Sequence, residues 1–164
     1  MKKHWFKAFL VLALVSTTFG IAKAQGAAKQ GPDVNRDPDM ENEAKHNLEV
    51  ARQYFKLRKA YVASLQRCEE VLAANPGYSK IDEILYIAGK SSLNLAEAKG
   101  KQKPEQYVIH DGDKKVTLTV DEFRDKARDY LSQLVNGYPQ SAFRAEAEDD
   151  LKALGGAKPK ESKP

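Results

Sequence analysis

"NPGYSKIDEILYIAG" (75–89) sets a Pro-Gly break directly before an apolar-periodic run, and a similar phrase returns as "YPQSAFRAEAEDDL" (138–151). A break followed by helical patterning, occurring twice, predicts a repeated structural joint rather than an active-site loop. The residues ahead of each proline agree. Ser64, Cys68 and Pro76 match Ala127, Leu131 and Pro139: a small residue, a larger apolar one four positions on, and proline twelve after the small one. The small residue lets two helices approach, the larger one fills the gap, and proline ends the helix so that the next can fold back. The spacing matches the second half of a tetratricopeptide pattern, and helices alternating with proline joints also occur in unrelated α-hairpin arrays.

Working outward, helical periodicity predicts four further-reaching segments and a shorter fifth. The first begins near Asp39, read as its N-cap, and carries Leu48, Ala51, Tyr54, Phe55 and Leu57. The second runs from about Tyr61 through Leu65, Cys68, Val71 and Leu72 to Asn75. Ser79 and Asp82, at capping-box spacing, introduce a third through Ile84, Leu85, Ala88 and Leu95. Thr119 and Glu122 repeat that spacing ahead of a fourth, with Phe123, Ala127, Tyr130, Leu131, Leu134 and Val135. The fifth covers Ser141–Leu154. Between the third and fourth lies "KGKQKPEQYVIHDGDKKVTLTV" (99–120), where two β-prone runs flank Asp111-Gly112-Asp113 and predict a small hairpin. The two prolines stand 63 residues apart. That exceeds a period of about 34 residues by close to the size of this insertion plus a longer helix.

The ends bound the domain. Residues 1–24 carry lysines at 2, 3 and 7, an apolar run over 8–15 and Ala22-Lys23-Ala24, which predicts a cleaved secretory signal peptide. Residues 25–38 read as a flexible leader and 155–164 as a disordered tail, leaving 39–154 as the helical domain. The signal segment holds four lysines and no acid, so the chain's +4 falls to zero once it is removed, and a nucleic-acid partner loses its support. Cys68 is the only cysteine; no internal disulfide can form, and its apolar neighbours predict a buried side chain.

The wording carries a resemblance. "ARQYFKLRKAYVASLQRCEEVLAANPGYSKIDEILYIAGKSSLNL" (51–95) followed by "ARDYLSQLVNGYPQSAFRAEAEDDLKAL" (127–154) resembles the tetratricopeptide outer-membrane assembly lipoproteins of the BamD/YfiO type, over nearly all of 39–154. The resemblance implies a periplasmic helical scaffold for outer-membrane β-barrel assembly, peripheral to that membrane and acting through protein–protein contacts. The chain departs from that family in lacking the lipid-anchored N-terminal cysteine and in having fewer repeats, so no direct lipid anchor is expected. The soluble repeat proteins of the Tol-Pal and peptidoglycan-coordination type are the alternative relatives.

Chemistry finds little footing. His46 and His110 lie on different elements, "DGD" lacks the further oxygen ligands of a calcium loop, and no nucleophile elbow or phosphate loop occurs. A small envelope hydrolase or ion-binding protein is the least favoured reading; no enzyme activity, metal or cofactor is expected. The expected fold is all-α: tetratricopeptide-like antiparallel helical hairpins, about two and a half repeats, with a short inserted β-hairpin. Taking Ala51 and Gly89 as equivalent small positions, Lys45, Arg52 and Lys56 from the first helix and Tyr86, Lys90 and Asn94 from the third either form solvated helix faces or line a basic groove. Its expected partner is an acidic or C-terminal peptide segment of an envelope protein. The unfinished half repeat at the C-terminal side also predicts self-association.

Overall fold

A computed structural model describes residues 36–159. Within them five α-helices pack on one another: α1 (Pro38–Arg52), α2 (Tyr61–Ala74), α3 (Ile81–Ala96), α4 (Val120–Gly137) and α5 (Arg144–Ala153). A small antiparallel hairpin, β1 (Val108–Asp111) and β2 (Lys114–Thr117), sits between α3 and α4. The chain is thus mostly helical with one inserted ribbon. The signal-peptide expectation and most of the leader fall outside the described residues.

The helix starts show where side-chain chemistry and backbone disagree. α1 begins two residues earlier than its apolar pattern suggests. Asp37, not Asp39, is the N-cap: its carboxylate accepts the Asp39 N–H at 2.9 Å. Pro38 suits the first helical position, where an N–H is not needed. Arg36 then donates to the Gly77 carbonyl at 3.0 Å, so the folded part reaches into the expected leader. The Ser79–Asp82 capping box does not form. Lys80 stands at the N-cap without a side-chain bond, and the Ser79 N–H goes to the Glu41 carboxylate at 3.1 Å. Asp82 instead accepts the Ser141 hydroxyl at 2.7 Å. The Thr119–Glu122 box does form, with both reciprocal bonds.

The two proline joints share their hydrogen bonds. Asn75 N–H donates to Val71, Tyr78 to Asn75 and Ile81 to Tyr78; sixty-three residues on, Tyr138 donates to Leu134, Ser141 to Tyr138 and Arg144 to Ser141. The C-caps have nearly the same dihedrals, φ −139°, ψ 73° at Asn75 and φ −129°, ψ 69° at Tyr138. One backbone solution is therefore used twice.

Burial follows the small-residue logic. Ser64, Cys68, Ala127 and Leu131 are all buried, while Pro76 and Pro139 are exposed at the corners. Ser64 Oγ donates to the Ala51 carbonyl at 3.1 Å, and Gly89 faces Leu131 and Ala127. The core runs through Leu48, Leu65, Ile84, Leu95 and Phe123, with a second cluster of Leu85, Leu131, Leu134, Ala147 and Leu151 joining α3, α4 and α5. Burial pushes the Cys68 thiol well above its ordinary pKa. That holds it as an inert core group.

The insertion is tied down at its base. Lys101 N–H donates to the Lys59 carbonyl at 2.9 Å, and the Gln102 side-chain oxygen accepts the Ala63 N–H at 3.0 Å, serving the N-terminus of α2. Tyr107 is buried, packs edge-on against Phe123 and donates to the Glu69 carboxylate at 2.8 Å. Tyr130 donates to the same carboxylate at 2.9 Å and Lys126 pairs with it at 2.7 Å. Beyond Tyr107 the ribbon projects, with β2 exposed throughout.

Candidate interaction surface

The six residues expected to line a basic groove divide. Arg52 forms a two-pronged pair with Glu83 of α3, its Nε donating at 2.6 Å. Lys90 pairs with Asp150 at 2.7 Å and Glu146 at 3.3 Å, both on α5. Tyr86 stacks on Phe143 with ring centroids 4.7 Å apart. Asn94 turns back to donate to the Lys90 carbonyl at 2.8 Å. Lys45 and Lys56 are exposed and have no ion pair among the described residues.

These placements explain one another. Arg52 follows Ala51 as Lys90 follows Gly89, and Glu83 lies as far after Pro76 as Glu146 lies after Pro139. Arg52–Glu83 and Lys90–Glu146 are thus equivalent bridges, the one joining α1 to α3 and the other α3 to α5. The cations that periodicity placed on a partner face are used inside the fold. Both have their pKa raised, Arg52 by the Glu83 bond and Lys90 by its two acids acting against burial. Glu146 responds in kind: the Tyr86 hydroxyl and then Lys90 hold its carboxyl below the usual range. Lys56 also leaves the expected line, because Gln53–Arg58 is a π-helical turn whose looser winding breaks the eleven-residue register from Lys45. Nothing in the residue types of 53–58 announces that turn.

Sequence reasoning missed two features. One is a cleft of about 420 Å³ between α1 and α2, floored by Ala44 and Val71, with Met40, Glu43, Asn47 and Asn75 around it. The other is a polar stripe on α4. Among the described residues no three His, Cys, Asp or Glu side chains converge to hold a metal ion. None of their helices is long and apolar enough to cross a membrane. Neither family models, nor curated proteins, nor solved structures yield a match to this chain.

Proposed function

We propose that this chain is a non-catalytic, exported scaffold of tetratricopeptide-like helical hairpins, working through protein–protein contacts in envelope biogenesis, as the outer-membrane assembly lipoproteins it resembles do. The observation that carries the reading is the repetition of the joint: the same three backbone bonds at Asn75–Ile81 and Tyr138–Arg144, with equivalent ion pairs linking α1 to α3 and α3 to α5. An array built this way offers extended side-chain faces with each unit supported by its neighbours.

The supporting detail is chemical. The buried Ser64 hydroxyl of α2 is spent on a bond to the Ala51 carbonyl of α1, and the buried Ser92 hydroxyl on the Ala88 carbonyl of its own helix. Faces open to a partner include the α1–α2 cleft and the exposed Lys45 and Lys56. The test is cross-linking in the native envelope followed by identification of the captured chains. Barrel-assembly components are the expected product. Recovery of Tol-Pal or peptidoglycan-coordination components would replace the role with the alternative one, and a stoichiometric metal in the purified protein would overturn the scaffold reading.

A further inference from the structure

The segment after α5 turns back onto α4. Gly155 and Gly156 have φ of 86° and 93°, the left-handed region that glycine adopts without a Cβ penalty. Gly156 N–H donates to the Leu151 carbonyl at 2.7 Å and Gly155 N–H to Lys152 at 3.3 Å, the paired bonds of a Schellman motif. The expected disordered tail is therefore a placed strap over residues 155–159.

Its partners lie on one helix face. Arg128 Nε donates to the Gly156 carbonyl at 2.6 Å. Ser132 Oγ accepts the Lys158 N–H at 2.8 Å, and Asn136 Nδ2 donates to the Lys158 carbonyl at 2.9 Å. The Lys158 ammonium pairs with Asp129. Residues 128, 132 and 136 recur every four positions, which stacks them along α4. The stripe reads the strap's main chain by hydrogen bonds and one side chain by charge. A segment that only sealed the open side of a helical array would do so with apolar side chains. This one offers backbone and a lysine, over a helix face that supplies a guanidinium, a buried hydroxyl, an amide and a carboxylate.

We propose that Asp129, Ser132 and Asn136, beside the Arg128 that holds Gly156, form a peptide-binding site, closed in cis by residues 157–159, that takes in trans an extended partner segment presenting a lysine to Asp129. The proposal rests on the scaffold reading for its biological use, but its binding chemistry stands apart from it. The strap is the resident competitor. A tethered competitor acts at an effective concentration of order millimolar, enough to shut out weak ligands until a better one arrives.

The experiment compares the chain from Gln25 with the same chain shortened after Gly156, which keeps the Schellman turn and every buried core residue, all lying between Ala44 and Leu151. The probe is a fluorescent peptide of residues 157–164, followed by anisotropy. The shortened chain should bind it at least about tenfold more tightly than the unshortened one. Asp129→Lys in the shortened chain should lose that binding and regain it for a peptide carrying Lys158→Glu. A second variant, the unshortened chain with Lys158→Glu, should also open the site and raise peptide affinity. Equal binding by shortened and unshortened chains, no binding by either opened variant with native circular dichroism, or indifference to Asp129→Lys would each overturn the proposal. Such a failure leaves the envelope cross-linking result untouched, so the two readings fail separately.

Discussion

Gly89 on α3 and Leu131 on α4 stand so close that a β-carbon added at Gly89 would lie 2.6 Å from Leu131 Cγ and 2.7 Å from its Cδ2. The two helices touch there because one of them has no side chain. Gly89→Ala therefore has opposing effects. Helix propensity favours alanine by up to about 1 kcal/mol, while forcing a methyl into a filled site costs about 1–3 kcal/mol. We expect a net loss of about 1–2 kcal/mol in urea unfolding. Leu131→Ala should cost about 2–5 kcal/mol by itself, and the double variant should lose less than the two added together. A more stable Gly89→Ala protein would mean the helices are further apart than described.

Arg52→Ala should destabilise by about 1–2 kcal/mol, because the bond it breaks is charge-assisted and leaves the half-buried Glu83 carboxylate without its partner. The reversed pair, Arg52→Glu with Glu83→Arg, should recover most of that loss in thermal melting. The result also decides how partner binding is probed. Reversal of Arg52 would disturb the α1–α3 contact as well as any groove, whereas Lys45→Glu with Lys56→Glu changes only exposed charge. Melting of that double variant should match the parent within about 0.5 kcal/mol.

What the sequence makes legible is what period and punctuation encode. Both proline corners, the fourth helix's capping box and the ribbon turn follow from local chemistry, and the structure places all of them where that chemistry predicts. Three features depend on tertiary context. Ser79 carries a capping residue's hydroxyl, yet its N–H is taken by Glu41 from another helix, so spacing misdirects. The ion-pair role of Arg52 and Lys90 needs the neighbouring helix to be in place before it is visible. The segment after Leu154 reads in sequence as a disordered tail, and its path is set by α4, where Arg128 and Asn136 hold the Gly156 and Lys158 carbonyls.

Ser91 is the one buried side-chain polar atom among the described residues without a hydrogen-bond partner. A buried hydroxyl with no partner carries its desolvation cost uncompensated. Ser91→Ala removes that cost and places a better helix former inside α3. The expected outcome is a gain of about 0.5–1.5 kcal/mol in denaturant unfolding, with no change in far-ultraviolet circular dichroism. A loss would reveal a bond to that hydroxyl.

The insertion separates into an anchor and a tip. Removing 108–117 with a short Gly-Ser bridge takes away a ribbon whose second strand is fully exposed, and should leave the melting temperature within a few degrees. Removing 99–120 also deletes the Gln102 bond to α2, the buried Tyr107 on Glu69 and Phe123, and the Thr119 cap of α4. That larger cut should lower stability by several kcal/mol, since it opens the core beside Phe123. Tyr107→Phe isolates one part of it: the ring stays, the hydroxyl bond goes, and about 1 kcal/mol should follow.

Glu146 gives the fold an acid dependence with a definite sign. The Tyr86 hydroxyl and Lys90 hold its carboxyl below the ordinary value of 4.5. A carboxylate whose folded pKa is depressed adds stability that is present above the unfolded value and lost as pH falls through the folded one. Thermal melts from pH 7 downward should therefore show a loss that begins near the unfolded carboxylate range and deepens below it. Glu146→Gln cannot ionise, so it should be somewhat less stable at pH 7 and lose less on acidification, the two curves converging at low pH. Lys90 keeps Asp150 in that variant, so the α3–α5 contact survives and the difference isolates Glu146. Parallel curves would mean that the Tyr86–Glu146–Lys90 arrangement does not persist in solution.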